Sequence, residues 1–375
     1  MKVLVDGGNS GSGGYLHYLS GILGSGALGD VDVLLVCSPG LSARLGRLDP
    51  QVTLQIEPDL DSPSRWTRLR WWRVGWPKVV ADFEPDVVLH PTGLLRGSSP
   101  HIPRVAIHHV MAPFVRTSYR LYGPSKFAGA LAITRLRLLH SFRRAEGVIF
   151  HAEYTRRVVS EQIGKVARSA LVPNGVPAAF DGATDRDRRE LSRPVRLLCV
   201  STLYLFKHQW HVVAAVARLR QDLGLDVHLD LVGSGEPQAR AKLLRSIADN
   251  NAAGWAAMRE VPVDAMPDVY READLFIFPS ADETWPITLL EAMASGLPIA
   301  CSKRMAMPTM LQDAGTYFDP EDSASIYDAL LPLLTDPELR HRNGALARRY
   351  AAPYTWERSA GVVMEFLRRV ARETP

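Results

Sequence analysis

Short apolar runs that alternate with helix-patterned stretches, stop at a polar break and then begin again constrain this chain more than any other feature. KVLVD, VDVLLV, PDVVLH, RVAIHH and GVIFH each read as a strand buried on both faces, followed by loop or helical periodicity. That rhythm predicts a doubly wound parallel sheet. The break is PNGVPAAFDGATDRDRRELSRP, rich in Pro, Gly and charge. VRLLCVS, VHLDLVGSG, LFIFPS and LPIACS follow it, so the fold class expected is α/β, two Rossmann-like units joined near residues 178–193. Ligands of such sheets sit outside the carboxyl ends of the strands, which for two facing units means a cleft between them. A chain of 375 residues is long enough for two cores.

With 46% hydrophobic residues and no long low-complexity tract, the chain reads as globular rather than disordered. A formal charge of +4 suits an anionic small molecule or an acidic membrane surface, and is too small for a nucleic-acid footprint. Cys37, Cys199 and Cys301 each lie in or at the end of an apolar run, the pattern of buried thiols rather than of disulfides or metal ligands. MKVLVDGG enters a strand at once, and no segment reaches the length of a membrane span. A cytoplasmic location is the expectation.

The most informative stretch is DETWPITLLEAMASGLPIA, residues 282–300. LFIFPS ends a strand and SADETW is the loop that leaves it. Pro286, with fixed φ and no N–H, suits the first turn of a helix running through LLEAMAS to Gly296. Glu283 then falls in the loop and Glu291 inside the helix. The free N–H groups at such a helix start favour an anion such as phosphate.

The segment resembles the Glu, seven residues, Glu signature of the retaining glycosyltransferases of family 4. Other pieces follow in that family's order: GGNSGSGGYLHYL, VPNGVPAAF, VSTLYLFKHQW, LVGSGE, ADLFIFPS, DAGTYFDPED and YTWERSAGVVMEFL. The resemblance implies a GT-B fold, with two Rossmann-like domains facing across a cleft. Residues 1–180 would bind the acceptor, residues 190–355 the nucleotide sugar, and a helix over 356–375 would cross back to the first domain. It also implies that Glu291 binds the donor ribose and Glu283 the transferred sugar, work suited to ionised carboxylates that accept from hydroxyls.

Lys207, in YLFKHQ, matches the family's lysine at the donor diphosphate, where a fixed ammonium stabilises the leaving group without a metal. Relatives usually carry Gly-Arg where this chain has Ser201 and Thr202, so the second diphosphate contact falls to a hydroxyl. The loop also lacks the commoner Glu-Gly-Phe-Gly form. Pro286 shapes it, and the N–H groups of Ile287, Thr288 and Leu289 are left to meet the anion.

In the first unit, Gly11, Gly13 and Gly14 follow the first strand but miss the G-x-G-x-x-G spacing of a dinucleotide fingerprint, as does LVGSGEPQ. The resemblance assigns Gly13 and Gly14 to the donor phosphates or the acceptor, with Tyr15 beside the acceptor. RVAIHHVMAPF offers His108 and His109, and spacing alone leaves open which one approaches the transferred sugar. His109 is chosen for that role and His108 for acceptor binding. SRWTRLRWWRVGWP mixes Trp and Arg on no single helical face, which favours core packing over membrane contact. The Asp-x-Asp pairs at 30/32, 59/61 and 185/187 are read as chance.

The activity implied is metal-independent, retaining transfer of a sugar from a nucleoside diphosphate to an acceptor hydroxyl, by a same-face route in which the leaving phosphate helps deprotonate the incoming hydroxyl. No cofactor, nucleic-acid partner or carboxylate nucleophile is called for. A nucleotide-sugar epimerase or phosphorylase of the same fold and a non-catalytic nucleotide-sugar binder are the rival expectations. Donor base, sugar, acceptor and oligomeric state are not legible.

Overall fold

A computed structural model describes residues 1–8, 13–164, 166, 168–181 and 190–374. Gly11, Asp185 and Asp187 lie outside the described residues. The chain forms two compact units. One comprises residues 1–114, 129–175 and 354–375; the other comprises 115–128 and 176–353. The sequence placed 115–128 with the first unit, because nothing local distinguishes this segment from its neighbours.

The first unit holds β1 (Lys2–Gly8), β2 (Asp32–Cys37), β3 (Val52–Ile56), β4 (Val87–His90), β5 (Arg104–His108), β6 (Gly147–Phe150) and β7 (Ser169–Leu171). They make a seven-stranded parallel sheet in the order β3-β2-β1-β4-β5-β6-β7. The central strands are Val, Ile and Leu runs covered on both faces, as parallel sheets require. Helix Trp356–Glu373 completes this unit: Trp356, Ala360, Val363, Leu367 and Val370 recur at helical spacing and are buried. Gly21 is small because Trp356 lies against it; a Cβ there would fall 2.3 Å from the indole.

The second unit holds β8 (Val195–Val200), β9 (Val227–Val232), β10 (Ala256–Arg259), β11 (Leu275–Phe278), β12 (Ile299–Ser302) and β13 (Gly315–Phe318). The order of this six-stranded parallel sheet is β10-β9-β8-β11-β12-β13. Past the ends of β8 and β9, Leu203 and Gly235 form an isolated parallel bridge. A Cβ at Gly235 would stand 2.2 Å from the Leu203 carbonyl oxygen. Gly235→Ala is therefore expected to cost about 1–3 kcal/mol, read as a lower urea midpoint at unchanged slope.

The Trp-Arg run fits no single helical face because it is not one helix. Helix Arg65–Arg70 passes into a π-helical turn, Trp71–Gly75, and then helix Trp76–Phe83. The Trp76 N–H bonds to the Trp71 carbonyl, so residues five apart face the same way. Trp71 and Trp76 enter the core with Leu4, Leu34, Val79 and Val88, while Trp66 is 79% exposed. Cys37, Cys199 and Cys301 are all buried free thiols.

Candidate active site

In the second unit β8 and β11 are neighbours at the centre of the sheet. The chain leaves β8 for β9 on one side and leaves β11 for β12 on the other. Loops departing in opposite directions open a crevice at the carboxyl edge, the switch point where open α/β sheets bind ligands. Residues 201–208 form the first loop and 279–286 the second. A main-chain bond of 2.8 Å from the Ala281 N–H to the Phe206 carbonyl ties them together.

Across that tie the Lys207 ammonium forms an ion pair with Oε1 of Glu283. The two side chains are only 12% and 14% exposed. The rings of Phe206 and Phe278 lie 5.6 and 5.8 Å from Lys207 Nζ, adding cation–π attraction and limiting water around the pair. Two residues assigned to different parts of a donor are thus one electrostatic unit.

The helix after Glu283 spans Ile287–Ala294, so Pro286 caps it rather than starting it. Pro286 accepts from the Leu290 N–H at 3.2 Å, and no side chain caps the turn, so Ile287, Thr288 and Leu289 present its amides. Gly296, with φ +65°, closes the helix. Glu291, the helix's fifth residue, is buried and accepts from the Tyr270 hydroxyl at 2.8 Å. Burial drives its pKa up to about 7, and the Tyr270 bond opposes the shift.

The two serine and threonine hydroxyls of the first loop differ. Ser201 is buried and its Oγ accepts from Gln209 Nε2 at 2.7 Å, whereas Thr202 is exposed. Of this pair, Thr202 has the hydroxyl not held by Gln209.

Four further residues were not singled out by the sequence. Asp282 is buried and accepts from the Ser118 hydroxyl at 2.6 Å. Its pKa rises to about 7, chiefly through burial, with the Ser118 bond opposing and Glu283 adding to the rise. Tyr122, one helical turn beyond Ser118, donates to Glu236 at 2.6 Å, and the Leu205 N–H donates to Tyr122 Oη at 3.1 Å. Helix Arg116–Tyr122 therefore braces both loops, one through Ser118 and the other through Tyr122. The only local signal for this was the i, i+4 spacing of two hydroxyl residues.

The first-unit candidates divide. His108 is buried among Phe114, Phe142 and Phe150, with ring centroids 5.2–5.8 Å away, and burial lowers its pKa to about 3. The structure places His108 inside this aromatic surround, fully buried at the end of β5. Tyr15 is also buried, and its hydroxyl donates to the Gly7 carbonyl at 2.8 Å. His109 is half-buried, with Nδ1 3.0 Å from Nε2 of His151. His151 Nδ1 lies 2.7 Å from the Val172 carbonyl, which can only accept, so that nitrogen carries the proton and Nε2 accepts from His109. Burial holds His109 well below the usual imidazole range and His151 at about 4, so both rings are neutral near pH 7. Gly13 and Gly14 open helix Gly13–Leu23, and a Cβ at Gly14 would meet nothing within 4 Å.

Two parallel α/β sheets, one with paired loops at its switch point, define a GT-B protein. The family model "Glycosyl transferases group 1" matches residues 194–336, and "Glycosyltransferase Family 4" matches residues 22–180. The chain belongs to this glycosyltransferase family. It is 30% identical to D-inositol 3-phosphate glycosyltransferase of Corynebacterium jeikeium over 207 residues, 52% of this chain and 48% of that one. It is 29% identical over 209 residues to a GDP-mannose-dependent alpha-(1-6)-phosphatidylinositol dimannoside mannosyltransferase of Mycobacterium tuberculosis, 53% of each chain. The matched part thus spans about half the length of these curated relatives. Sucrose-phosphate synthase from Thermosynechococcus elongatus has the same fold, with a TM-score of 0.79 and 17% identity over 98% of both chains.

Proposed function

We propose that the protein transfers a sugar from a nucleoside diphosphate to an acceptor hydroxyl, with retention at the anomeric carbon and without a metal. The observation that carries this reading is the Lys207–Glu283 pair held at the switch point, in the loop that leads into helix Ile287–Ala294, whose first turn no side chain caps. An ammonium and a helix start on adjoining loops of one sheet edge suit the charge that builds on a leaving diphosphate. Glu283 exchanges its lysine partner for a hydroxyl of the transferred sugar, which frees Lys207 for the diphosphate. Glu291 accepts from the ribose, and Thr202 supplies the neutral hydroxyl where relatives have arginine. Ser201, already engaged by Gln209, serves by fixing that loop.

In this reading the second unit holds the donor and the first receives the acceptor, with His109 presenting a neutral imidazole on that side. The enzyme supplies orientation and charge stabilisation rather than a nucleophile. The mycobacterial relative's named donor makes GDP-mannose the first compound to try, with UDP-sugars beside it.

A thermal-shift panel of GDP, UDP, ADP and TDP tests the donor site. At about a hundredfold excess over Kd a cognate diphosphate stabilises the fold by about 2.7 kcal/mol, and Thr202→Val should weaken that response. NMR of the glycoside formed from the matching donor then reads the anomeric configuration. No response to any diphosphate, or an inverted product, would sink the proposal.

A further inference from the structure

We infer that one flank of the first unit docks on an anionic lipid bilayer, through basic side chains interleaved with exposed apolar ones. Charge is the first observation. Residues 62–81 carry Arg65, Arg68, Arg70, Arg73 and Lys78 and no acid, and the first-unit residues within 87–114 and 129–145 carry six Arg and no acid. Only Asp82, Glu84 and Asp86 interrupt, although the whole chain is nearly balanced at +4. Net charge so segregated favours an anionic partner for this part of the chain.

Topology is the second observation. The connection from β3 to β4, which holds Arg65–Phe83, and the connection from β5 to β6, which holds helix Lys126–Arg144, run in the same direction along the sheet. Right-handed crossovers in the same direction lie on the same face, so these helices form one layer. The loop after β4 joins them. Leu95 N–H donates to Ser141 Oγ at 3.1 Å on one side, and Trp76 Nε1–H donates to Ser99 Oγ at 3.2 Å on the other.

The third observation is what this layer shows to solvent. Trp66, Leu69 and Val74 are exposed on the first element, and Ile133 and Leu136 on the second. They include the two most exposed of all the large hydrophobic residues described, Trp66 at 79% and Leu136 at 67%. Arg65, Arg73 and Arg137 are exposed among them and make no ion pair among the described residues. A phosphate-backbone partner would use the cations and gain little from Leu69, Val74, Ile133 and Leu136. A bilayer uses both: Trp and aliphatic groups enter the headgroup boundary while arginines meet anionic headgroups.

Flotation of the full chain with phosphatidylcholine vesicles, with and without about a third phosphatidylglycerol, tests this. Binding is expected with phosphatidylglycerol only, weakened by salt and accompanied by a blue shift of tryptophan emission that Trp66→Phe diminishes. The triple variant Trp66→Ser, Ile133→Ser, Leu136→Ser should bind about tenfold more weakly, as should Arg65→Gln, Arg73→Gln, Arg137→Gln. All six sites are exposed, and unchanged melting and unchanged nucleoside diphosphate response certify the fold. Absence of vesicle binding, binding that the apolar variant leaves intact, or retention on single-stranded DNA in place of vesicles would each overturn the inference. None of these readouts requires sugar transfer, so the docking surface stands or falls separately from the proposed activity.

Discussion

Lys207→Ala is expected to lower the rate of sugar transfer by about a thousandfold, the upper range for removing one preorganised charge from a leaving group. Steady-state release of nucleoside diphosphate in the presence of an acceptor measures it. Lys207→Arg should recover little, because arginine spreads its charge over a longer planar fork instead of concentrating it at the point the ammonium occupies. Removing the ammonium strands the largely buried carboxylate of Glu283. Lys207→Met should therefore destabilise the fold by about 3 kcal/mol, whereas the double variant Lys207→Met, Glu283→Gln should be milder than Lys207→Met alone. Additive losses across that cycle, or a transfer rate untouched by loss of the ammonium, would show that the pair is a surface ornament.

Glu291→Gln should separate stability from binding. In the unfolded chain this carboxyl titrates near 4.5 and in the fold near 7, so between those values the folded state holds the extra proton. Stability conferred on the wild type therefore falls as pH rises from about 4.5 to about 7, and the full penalty, about 3 kcal/mol, persists above that. Glutamine cannot ionise and still offers an oxygen to Tyr270. The variant should match the wild type near pH 4 and exceed it by up to about 3 kcal/mol at pH 8, while its affinity for the cognate diphosphate falls about tenfold. Asp282, also raised to about 7, contributes a slope of the same sign that the variant keeps. Parallel stability curves from pH 4 to pH 8 would refute the buried-carboxyl account. The wild type, for its part, should bind the diphosphate more tightly as pH rises through 7, since a carboxylate accepts from ribose hydroxyls better than a carboxyl group does.

The strands legible in the sequence and those missed differ by position in the sheet. The apolar runs gave β1, β2, β4, β5 and β6 in the first unit and β8, β9, β11 and β12 in the second. The runs missed were β3, β7, β10 and β13, the four edge strands. A central parallel strand is covered above, below and on both sides, so it is written as an unbroken apolar run. An edge strand is half wet and reads as VTLQI, SAL, AAMR or GTYF, which composition alone does not separate from loop.

The candidate site shows the same division. Glu283, Glu291 and the amide mouth at 287–289 were legible because they sit in one segment, where spacing along the chain fixes spacing in the fold. Lys207 was legible through its motif, but its partner was not, since the ion pair spans 76 positions and depends on β8 and β11 being neighbours. His108 and Tyr15 looked available because alternation and motif say nothing of what packs over a strand end. Phe114, Phe142 and Phe150 bury the one, and the Gly7 carbonyl occupies the other.

By itself the amino-acid order marked the central strands of two sheets, the break between them and the placement of acids around a helix start, because these are written in local patterns of residue type. Tertiary structure alone decided that Lys207 meets Glu283, that helix Arg116–Tyr122 braces both site loops, and that Glu291 and Asp282 are buried enough to titrate near neutrality. Desolvation and long-range pairing are properties of what surrounds a side chain, and the surroundings exist only once distant strands have paired.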